Sequence, residues 1–278
     1  MSISNHRNIK KTMKTTMLYA AVAVSILLLA SNQVAQAQQP DTLNRTDAQG
    51  RKQGYWQKRR ANGKLVYEGR FRDNQPVGLM RRYNADGVLL VELDYSSSPV
   101  RARFVYPNGS TMAEGFYRQQ LRDSLWRYYT ESGALRYEER YRMGLRHGRF
   151  RQFYANGKIM ESALWEQGRL HGRLMQYFDN GLNRSTMSYT HGEMHGDFKV
   201  FYPSGKPRVV GFYSNGLKQN EWTYYNAQGE VIDVVVYEGG VAQGHSDMAE
   251  QDEREFQEML RNAGKIKEPD IDDIMGMR

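Results

Sequence analysis

Cysteine is absent from this chain of 278 residues. Its absence excludes a disulfide framework, a thiolate metal site and a lipid-modified cysteine at a processing site. Long apolar runs are also lacking, because the run from Met17 to Ala30 has 14 residues and a spanning helix needs roughly 20. The sequence therefore predicts no transmembrane segment in the mature chain, which packing and backbone hydrogen bonds alone must hold together.

The sequence patterns of common active sites are missing as well. The chain has no G-x-S-x-G, no phosphate-binding loop and no pair of carboxylates with an obvious acid–base separation. Asp270, Asp272 and Asp273 lack the spaced oxygen ligands and the glycine of a calcium loop. The sequence predicts no catalytic residue, no metal and no cofactor, and hence a protein that is not an enzyme.

The N-terminal segment has the pattern of a secretory signal peptide. A basic stretch without acidic residues precedes the apolar run, and Ala35 and Ala37 occupy the small-residue positions of a cleavage site. We expect residues 1–37 to be removed after Ala37 and the mature protein to be exported, to the periplasm or outside the cell. A membrane anchor is the alternative interpretation, and Met13 is an alternative start.

Glycine recurs along the chain with a nearly constant period. Eight glycines are separated by six intervals of 24 residues and one of 22, and an aromatic residue follows each glycine by eight positions. The glycines are Gly63, Gly87, Gly109, Gly133, Gly157, Gly181, Gly205 and Gly229. The aromatics are Phe71, Tyr95, Tyr117, Tyr141, Trp165, Tyr189, Tyr213 and Tyr237. Such a period marks tandem repeats that bury apolar surface mainly against their neighbours, and it favours an extended binding surface over an enzyme pocket.

Each repeat contains two runs of about six residues that are rich in aromatic and β-branched side chains. Dipeptides such as Asn-Gly separate the runs and supply the positive φ of a tight turn, so each repeat is predicted to be a β-hairpin. In the second run Tyr137 and Tyr141 are an even number of residues apart, whereas Glu138 is an odd number of residues from both. This is the alternation of a strand with one apolar and one solvent-exposed face. In the first run Trp126 and Tyr129 are three residues apart, so either a bulge separates them or both faces carry rings.

These patterns predict an all-β fold with a short C-terminal helix. The β part is expected to be an elongated meander of about eight tandem 24-residue hairpin repeats, with about sixteen strands in a twisted antiparallel sheet. Residues 38–49 are predicted to be a linker, residues 50–242 the eight-repeat domain and residues 243–278 an acidic tail with a capping helix. Residues 50–242 carry a net charge of +10 and residues 243–278 a net charge of −5, which favours docking of the tail.

The tail is expected to protect the last strand. That strand, VIDVVVY, is nearly uncharged and would expose an adhesive edge. A helix with Phe256, Met259 and Leu260 on one face could cover the strand that ends at Tyr237. The alternative is a solvated charged helix that docks nowhere.

The stretch TESGALRYEERYRMGLRHGRFRQFYANGKIMESALWEQGRLHGRL resembles the MORN-repeat variant of YwqK-type antitoxin proteins. In that family, phrases of the form Y-x-N-G-x-L-x-x-E-x-x-Y-x-x-G-x-x-H-G-x-W recur. The resemblance extends over residues 50–242 and is closest in copies four to seven. It implies tandem hairpins in an elongated sheet and a role in interaction rather than catalysis. A cytoplasmic antitoxin would not carry a signal peptide, so the chain departs from the family in this respect.

Two sets of periodic residues could be taken for reactive groups. His147, His171 and His195 are 24 residues apart, which places equivalent positions roughly 9–10 Å apart, whereas zinc ligands each lie about 2 Å from one metal. They are predicted to be turn histidines bonded to local carbonyls. The four glutamates Glu68, Glu92, Glu114 and Glu138 form a ladder on one face, and cross-strand pairing with arginine is their predicted role.

Arginine outnumbers lysine by 27 to 12, and many arginines adjoin strand aromatics. Arginine stacks on rings and also binds carboxylate or phosphate, so the sequence leaves open internal stacking and an anion site. The candidate binding residues are Arg127, Tyr129, Arg149, Arg151, Phe153, Arg173 and Tyr177.

The leading functional hypothesis is an exported, non-catalytic repeat scaffold that binds a protein or an envelope polymer along its aromatic and arginine-lined sheet face. Alternatives are an immunity protein that neutralises an envelope-acting toxin and, least favoured, a glycan-active enzyme. We expect a monomer that does not bind nucleic acid, because export removes the usual nucleic-acid targets.

Overall fold

The computed structural model describes residues 43–264. Within this range twenty strands form a single long antiparallel sheet built from hairpins, and one short helix follows them. The predicted all-β repeat fold with a C-terminal helix is therefore confirmed. The predicted signal peptide, its cleavage after Ala37, residues 38–42 and residues 265–278 lie outside the described range.

The strands have nearly equal lengths apart from four short ones. The first ten are β1 (Arg45–Thr46), β2 (Lys52–Arg59), β3 (Leu65–Arg72), β4 (Gln75–Tyr83), β5 (Leu89–Asp94), β6 (Val100–Val105), β7 (Thr111–Arg118), β8 (Leu121–Tyr129), β9 (Leu135–Arg142) and β10 (Leu145–Arg146). The other ten are β11 (Gly148–Phe153), β12 (Ile159–Glu166), β13 (Arg169–Leu170), β14 (Gly172–Tyr177), β15 (Asn183–Thr190), β16 (Glu193–Phe201), β17 (Pro207–Ser214), β18 (Leu217–Tyr225), β19 (Val231–Glu238) and β20 (Val241–Ala242). Helix α1 spans Asp247–Asn262.

Apart from two interruptions, each strand pairs with the next along the chain, so the sheet is a meander. β9 pairs with both β10 and β11, which form one strand interrupted at His147, and β12 pairs in the same way with β13 and β14 around His171. These two interruptions, with the two-residue strands β1 and β20 at the ends, account for the difference between sixteen predicted strands and twenty observed.

Two kinds of turn alternate along the meander. Each repeat glycine has a φ between 80° and 94°. At Gly109, its N–H donates to the carbonyl of Tyr106 at 2.8 Å, while the Tyr106 N–H donates to Ser110 at 2.9 Å. This is a type I turn followed by a glycine bulge, a position that residues with a Cβ adopt less readily. Most of the other turns have two successive residues of positive φ, such as Gln119 and Gln120 at 50° and 65°, as in a type I′ hairpin. The turn between β5 and β6 differs, because it contains the cis Ser98–Pro99 peptide bond and no residue of positive φ.

The two faces of the sheet differ in burial. Along β7, Ala113, Gly115 and Tyr117 are buried, whereas Glu114 and Phe116 between them are half-buried. We call the face of the buried set the core face and the opposite face the outer face. Rings pack against one another along the core face: those of Tyr117 and Trp126 lie 5.0 Å apart, and those of Tyr128 and Tyr137 stack at 4.2 Å.

The first run of the repeat carries rings on both faces. Trp126 is buried on the core face, while the Tyr129 hydroxyl donates to Glu114 on the outer face at 2.8 Å. β8 also contains a bulge, but it does not separate Trp126 from Tyr129: Ser124, Leu125 and Trp126 face the single residue Gly115 between the pairs Arg127↔Glu114 and Asp123↔Phe116. The alternation expected of a regular strand therefore holds from Trp126 onward.

Helix α1 docks on the core face. Its Phe256 ring lies 5.5 Å from that of Phe198, and Glu255 pairs with Arg208 at 2.9 Å. Phe256 and Met259 are buried. The predicted docking is confirmed for these two residues, and the Leu260 side chain lies outside the described set.

The predicted place of docking is wrong. α1 crosses the core face of several strands, and Phe256 packs on β16 rather than on the strand that ends at Tyr237. Val235 and Tyr237 on the core face of that last long strand are buried, but Val231, Ile232 and Val234 remain 56%, 45% and 48% exposed. The core face offers rings into which Phe256 and Met259 can pack, whereas a strand edge offers mainly backbone groups. The short strand β20 pairs with only the end of β19, at Tyr237 and Glu238. Within residues 43–264 no helix is long and apolar enough to cross a membrane.

Candidate binding surface

A row of alternating glutamates and arginines crosses the outer face from β3 to β11. The register sets side by side Glu68, Arg81, Glu92, Arg103, Glu114, Arg127, Glu138 and Arg151. Nitrogen–oxygen distances are 2.9 Å for Arg81–Glu92 and 3.0 Å for Arg103–Glu92. At the end of the row Arg151 lies 2.6 Å from Glu138. The predicted pairing of the glutamate ladder with arginine is confirmed, and we call this row the ion ladder.

Tyrosine hydroxyls add hydrogen bonds to the ion ladder. The Tyr83 hydroxyl donates to Glu68 at 2.6 Å, and the Tyr129 hydroxyl donates to Glu114 at 2.8 Å. Burial and the bond to Glu114 raise the pKa of Tyr129 to about 12. Burial acts to raise the pKa of Glu114, but hydrogen bonds from Tyr129 and Arg101 outweigh it and hold the pKa below its ordinary value. A carboxylate held ionised in this way is an acceptor and a poor general acid.

The ion ladder ends at Arg151. The following positions of the same row are Ser162, Met175, Thr186 and Lys199. The glutamates that would continue the alternation are thus replaced by Ser162 and Thr186, and the arginine by Met175. The outer face changes from a neutralised row of charges to a mostly uncharged one at the middle of the sheet.

Three arginines beside the end of the ion ladder remain exposed. They are Arg140, Arg149 and Arg173, and none of them forms an ion pair with a residue in the described range. Leu164, 44% exposed, lies opposite Arg149. We call these four residues the arginine strip.

Glycines at the starts of β11 and β14 lie beneath two side chains of the arginine strip. A Cβ on Gly148 would lie 3.3 Å from Cδ of Arg140, and one on Gly172 would lie 3.5 Å from Cδ2 of Leu164. Both glycines have positive φ, 107° and 78°. The side chains of Arg140 and Leu164 therefore lie close above the strand backbone at these two glycines.

The seven candidate binding residues lie on β8, β11 and β14 and divide into three groups. Arg127, Tyr129 and Arg151 belong to the ion ladder. Arg149 and Arg173 belong to the arginine strip. Phe153 and Tyr177 are half-buried at the last positions of their strands.

A second set of cations, not recognised in the sequence, stacks on the rings of the core face. The Lys218 ammonium lies 4.6 Å from the Trp222 ring centre, and the Arg146 guanidinium 4.9 Å from that of Trp165. Arg122 lies 5.4 Å and 5.3 Å from the Trp126 and Tyr141 rings. Internal stacking of cations thus occurs, but with other residues than the candidate arginines. The available clue was spacing, because Arg122, Arg146 and Lys218 are separated by one and three repeat periods.

Two carboxylates are buried on the core face. Glu139 is 1% exposed and accepts hydrogen bonds from the Tyr141 hydroxyl and from Arg146 Nε, both at 2.8 Å. Glu161 is 5% exposed and accepts from Gln176 and from the Gly264 backbone N–H, also at 2.8 Å. Burial raises the pKa of Glu161. The partners of both carboxylates are structural, because one is a stacked cation and another is the end of α1.

The repeated histidines do not converge on one point. The backbone N–H groups of His147 and His171 donate to the carbonyls of Arg140 and Leu164 at 2.8 and 2.9 Å. The Nδ1 of His195 instead accepts the Asn215 N–H at 3.5 Å. In residues 43–264 no group of three histidine, aspartate or glutamate side chains could hold a metal ion.

A depression of about 880 Å³ lies at the type I′ turns near His147. Its lining is Arg142, Met143, Leu145, His147, Glu166, Gln167, Arg169 and His191. Met143 and Leu145 are 66% and 52% exposed, so this depression is open to solvent. It does not enclose a substrate-sized volume in the way that enzyme pockets do.

Comparison with known proteins agrees with the repeat architecture. The sequence model of the MORN repeat variant matches residues 146–167 and 194–215. That repeat family is generally non-catalytic. A search of curated proteins finds no match.

Among solved structures, the chain has similarity to a mutant of S. aureus TarM in complex with fondaparinux, α-GlcNAc-glycerol and UDP. The identity is 12% and the TM-score 0.27, over 34% of this chain and 19% of that one. The chain thus spans about a fifth of the length of that protein, and at this TM-score the similarity does not bear on function.

Proposed function

We propose that the protein is an exported, non-catalytic repeat scaffold that binds a protein or an envelope polymer on the outer face of its sheet. The observation that carries this proposal is the arginine strip. The arginines of the ion ladder are neutralised by glutamates, whereas Arg140, Arg149 and Arg173 are exposed and form no ion pair with a described residue. Arginine binds carboxylate or phosphate through two parallel hydrogen bonds, so the strip suits an anionic partner.

The architecture supports a scaffold. Equivalent positions on alternate strands repeat every 9–10 Å or so, which lets an extended partner contact several repeats at once. Stacked cations and α1 occupy the core face of the described repeats, so the outer face is the more accessible of the two. The matches to the MORN repeat variant agree with a non-catalytic role.

Export is part of the proposal and has its own test. The signal pattern of residues 1–37 supports it. N-terminal sequencing of the protein from the envelope or external fraction should begin at Gln38. Recovery of the uncleaved chain from the cytosol would contradict export.

Partner binding can be tested with arginine variants matched for charge. Tagged full-length protein would be used to capture partners from the envelope fraction, alongside Arg149→Gln/Arg173→Gln and Arg103→Gln/Arg127→Gln. Both double variants lose two positive charges, but only the first alters the arginine strip. We expect the first to lose the partner and the second to retain it. Repeated failure of the native protein to capture any protein or glycan would overturn the proposal.

A second candidate function is an immunity protein of the YwqK type that neutralises a toxin acting in the envelope. The resemblance of residues 130–174 to the antitoxin repeat favours it, and export would bring the protein to the site of such a toxin. Deletion of the gene should then sensitise cells to a toxin encoded nearby. Unchanged survival of the deletion strain in the presence of that toxin would remove this candidate.

A further inference from the structure

Four aromatic residues recur every 24 positions on the outer face between β11 and β18. Each ends its strand two residues after a member of the row that forms and continues the ion ladder, and each is half-buried. They are Phe153, Tyr177, Phe201 and Tyr225, and we call them the aromatic row. Consecutive members lie two strand spacings from each other, which places them roughly 9–10 Å apart.

The rings of the aromatic row have fewer partners within the protein than its other rings. On the core face, rings pack against one another. In the first half of the sheet, the equivalent residues Tyr83 and Tyr129 donate to glutamates of the ion ladder. Within residues 43–264, no ring of the aromatic row packs on another ring or donates to a carboxylate, and the Tyr177 hydroxyl contacts only Met175 Sδ, at 3.5 Å. The exposed part of each ring is therefore left for a partner.

The spacing of the aromatic row is fixed by hydrogen bonds between repeats. The Tyr154 hydroxyl donates to the Tyr177 carbonyl at 2.6 Å, and the Tyr202 hydroxyl donates to the Tyr225 carbonyl at 2.8 Å. Each bond joins the turn of one repeat to the strand end of the next. A partner that fits this spacing meets rings that are already in place, which lowers the entropic cost of binding.

The spacing and the chemistry of the aromatic row suit an extended β-1,4-linked glycan. Alternate sugars of such a chain are flipped, so the same face recurs once per disaccharide, a length that matches the spacing of the row. The C–H groups of a sugar face pack on the negative face of an aromatic ring. A proline-rich peptide has a similar repeat, about 9 Å for three residues. Its carbonyls require donors, however, and the Phe153 and Phe201 side chains have none.

The arginine strip runs beside the aromatic row on the same face. Arg149 and Arg173 precede Phe153 and Tyr177 by four residues on β11 and β14, a distance of about 13 Å along each strand. An acidic peptide of about four extended residues spans this distance. A glycan that crosses the strands along the aromatic row would thus extend acidic side arms along the strands to the arginines, which form no ion pair with a described residue.

We propose that the outer face binds a β-1,4-linked glycan with acidic peptide side arms, the chemistry of peptidoglycan. The sugars stack on the aromatic row, and the carboxylates of the side arms pair with the arginine strip. The proposal rests on the proposed function, because it names the polymer that the outer face binds.

Two glycans test the proposal on the full-length protein. Purified peptidoglycan offers both sugars and acidic arms in a sedimentation assay, whereas chitohexaose offers uncharged β-1,4-linked sugars alone. Phe153→Leu/Phe201→Leu keeps apolar side chains but removes two flat rings, and it should lower the affinity for both glycans about tenfold or more. Arg149→Gln/Arg173→Gln should lower the affinity for peptidoglycan only. Without any variant, saturation-transfer NMR of the native protein should show transfer from aromatic protons to the C–H protons of chitohexaose.

Phe116→Leu/Phe212→Leu is the matched control. Both phenylalanines are half-buried on the outer face but lie outside the aromatic row, so this variant should bind both glycans as the native protein does. Equal affinity for α-1,4-linked amylose, binding of a proline-rich peptide but of neither glycan, or unchanged affinity of Phe153→Leu/Phe201→Leu would overturn the proposal. Capture of an envelope protein by a chain that binds neither glycan would overturn it while the proposed scaffold function stands. Failure to capture any partner would remove both.

Discussion

The first and second halves of the sheet share one hairpin unit but differ in what covers their faces. From β3 to β11 the outer face carries the ion ladder, in which Glu138 contacts both Arg127 and Arg151. From β12 to β19 the ion ladder is absent, and α1 packs on the core face instead. The turns and the ring packing are common to both halves. The unit that repeats therefore specifies the fold, and the positions that break the repeat specify what each half contacts.

Glu161 shows how one position that departs from the repeat directs the tail. Tyr137, Ala113 and Val209 occupy the equivalent position in other repeats and are fully buried, whereas Ser185 and Asp233 are polar there. At residue 161 a carboxylate takes this place and accepts the Gly264 N–H at the end of α1. A buried carboxylate oxygen without a donor is costly, and Gln176 donates to only one oxygen of Glu161, so the helix end supplies the donor for the other.

The largest expected effect comes from loosening α1. Phe256→Ala removes a ring that is 2% exposed and packed on Phe198. Truncation of a buried phenylalanine costs about 3–5 kcal/mol. Because repeats contact mainly their neighbours, hydrogen exchange should accelerate in β15–β19 and little in β2–β5. An equal loss of protection along the whole sheet would show that the two halves unfold as one unit.

A smaller loss, equal in both halves, is expected from two glycines beneath tryptophans. A Cβ on Gly115 would lie 2.2 Å from the Trp126 ring, and one on Gly211 would lie 2.3 Å from that of Trp222. Gly115→Ala and Gly211→Ala should each cost about 3 kcal/mol, because neither the rigid ring nor the strand backbone can move aside freely. The measurement is the urea midpoint.

Gly69→Ala is the control for these two variants. Its added Cβ would lie 3.1 Å from Met80 Cγ and 3.2 Å from Met80 Cα, about 1 Å farther from its neighbours than the added Cβ atoms at Gly115 and Gly211. Its midpoint should shift much less. Equal midpoints for all three variants would show that the sheet relaxes around an added methyl group wherever it is placed.

The repeat, the hairpins and the two-faced strands could be predicted from sequence because they depend on local rules. Glycine at the bulged turn follows from its freedom at positive φ, and the alternation of Tyr137 and Glu138 follows from the strand pleat. The pairing of the glutamate ladder with arginine was also predicted, and it holds in the repeats up to β11. The turns and the two-faced strands recur along the sheet, so one correct unit predicts these features in the others.

The course of α1 and the stacked cations could not be predicted in this way. A helical face with Phe256 and Met259 indicates that the helix docks on the sheet. The place of docking, however, depends on contacts of Gly264 with Glu161 and Arg146, which are 103 and 118 residues away in the chain. Such contacts between distant residues require the folded register.

A still smaller effect is expected from cutting the ion ladder. Glu138→Gln keeps the size of the side chain but leaves Arg127 and Arg151 without their shared charge, at a cost of about 1 kcal/mol. High salt should reduce the difference from the native protein. Ser162→Ala, at the next cross-strand position of the same row, should stay within about 0.5 kcal/mol. A Glu138→Gln protein with the native urea midpoint at low salt would show that the ladder does not stabilise the first half.

The finest distinction between the halves is the sign of their response to acid. In the first half, burial acts to raise the pKa of Glu68, Glu92 and Glu114, but hydrogen bonds and nearby arginines hold it below the ordinary 4.5. Their contribution to stability is present above pH 4.5 or so and is lost as pH falls through the lowered values. In the second half, burial holds the pKa of Glu161 above 4.5. The contribution of Glu161 to stability is fully present below its pKa in the unfolded chain. It is lost as pH rises through its pKa in the folded protein.

The two halves should therefore diverge between about pH 5 and pH 3. Amide protection, corrected for intrinsic exchange, should fall in β3–β9 while the contact between α1 and β12 is retained or strengthened. Glu161→Gln should remove the strengthening and leave the loss in β3–β9 unchanged. If acid weakened β12 and α1 as much as β3–β9, and Glu161→Gln made no difference, the opposite titration of the two halves would be refuted.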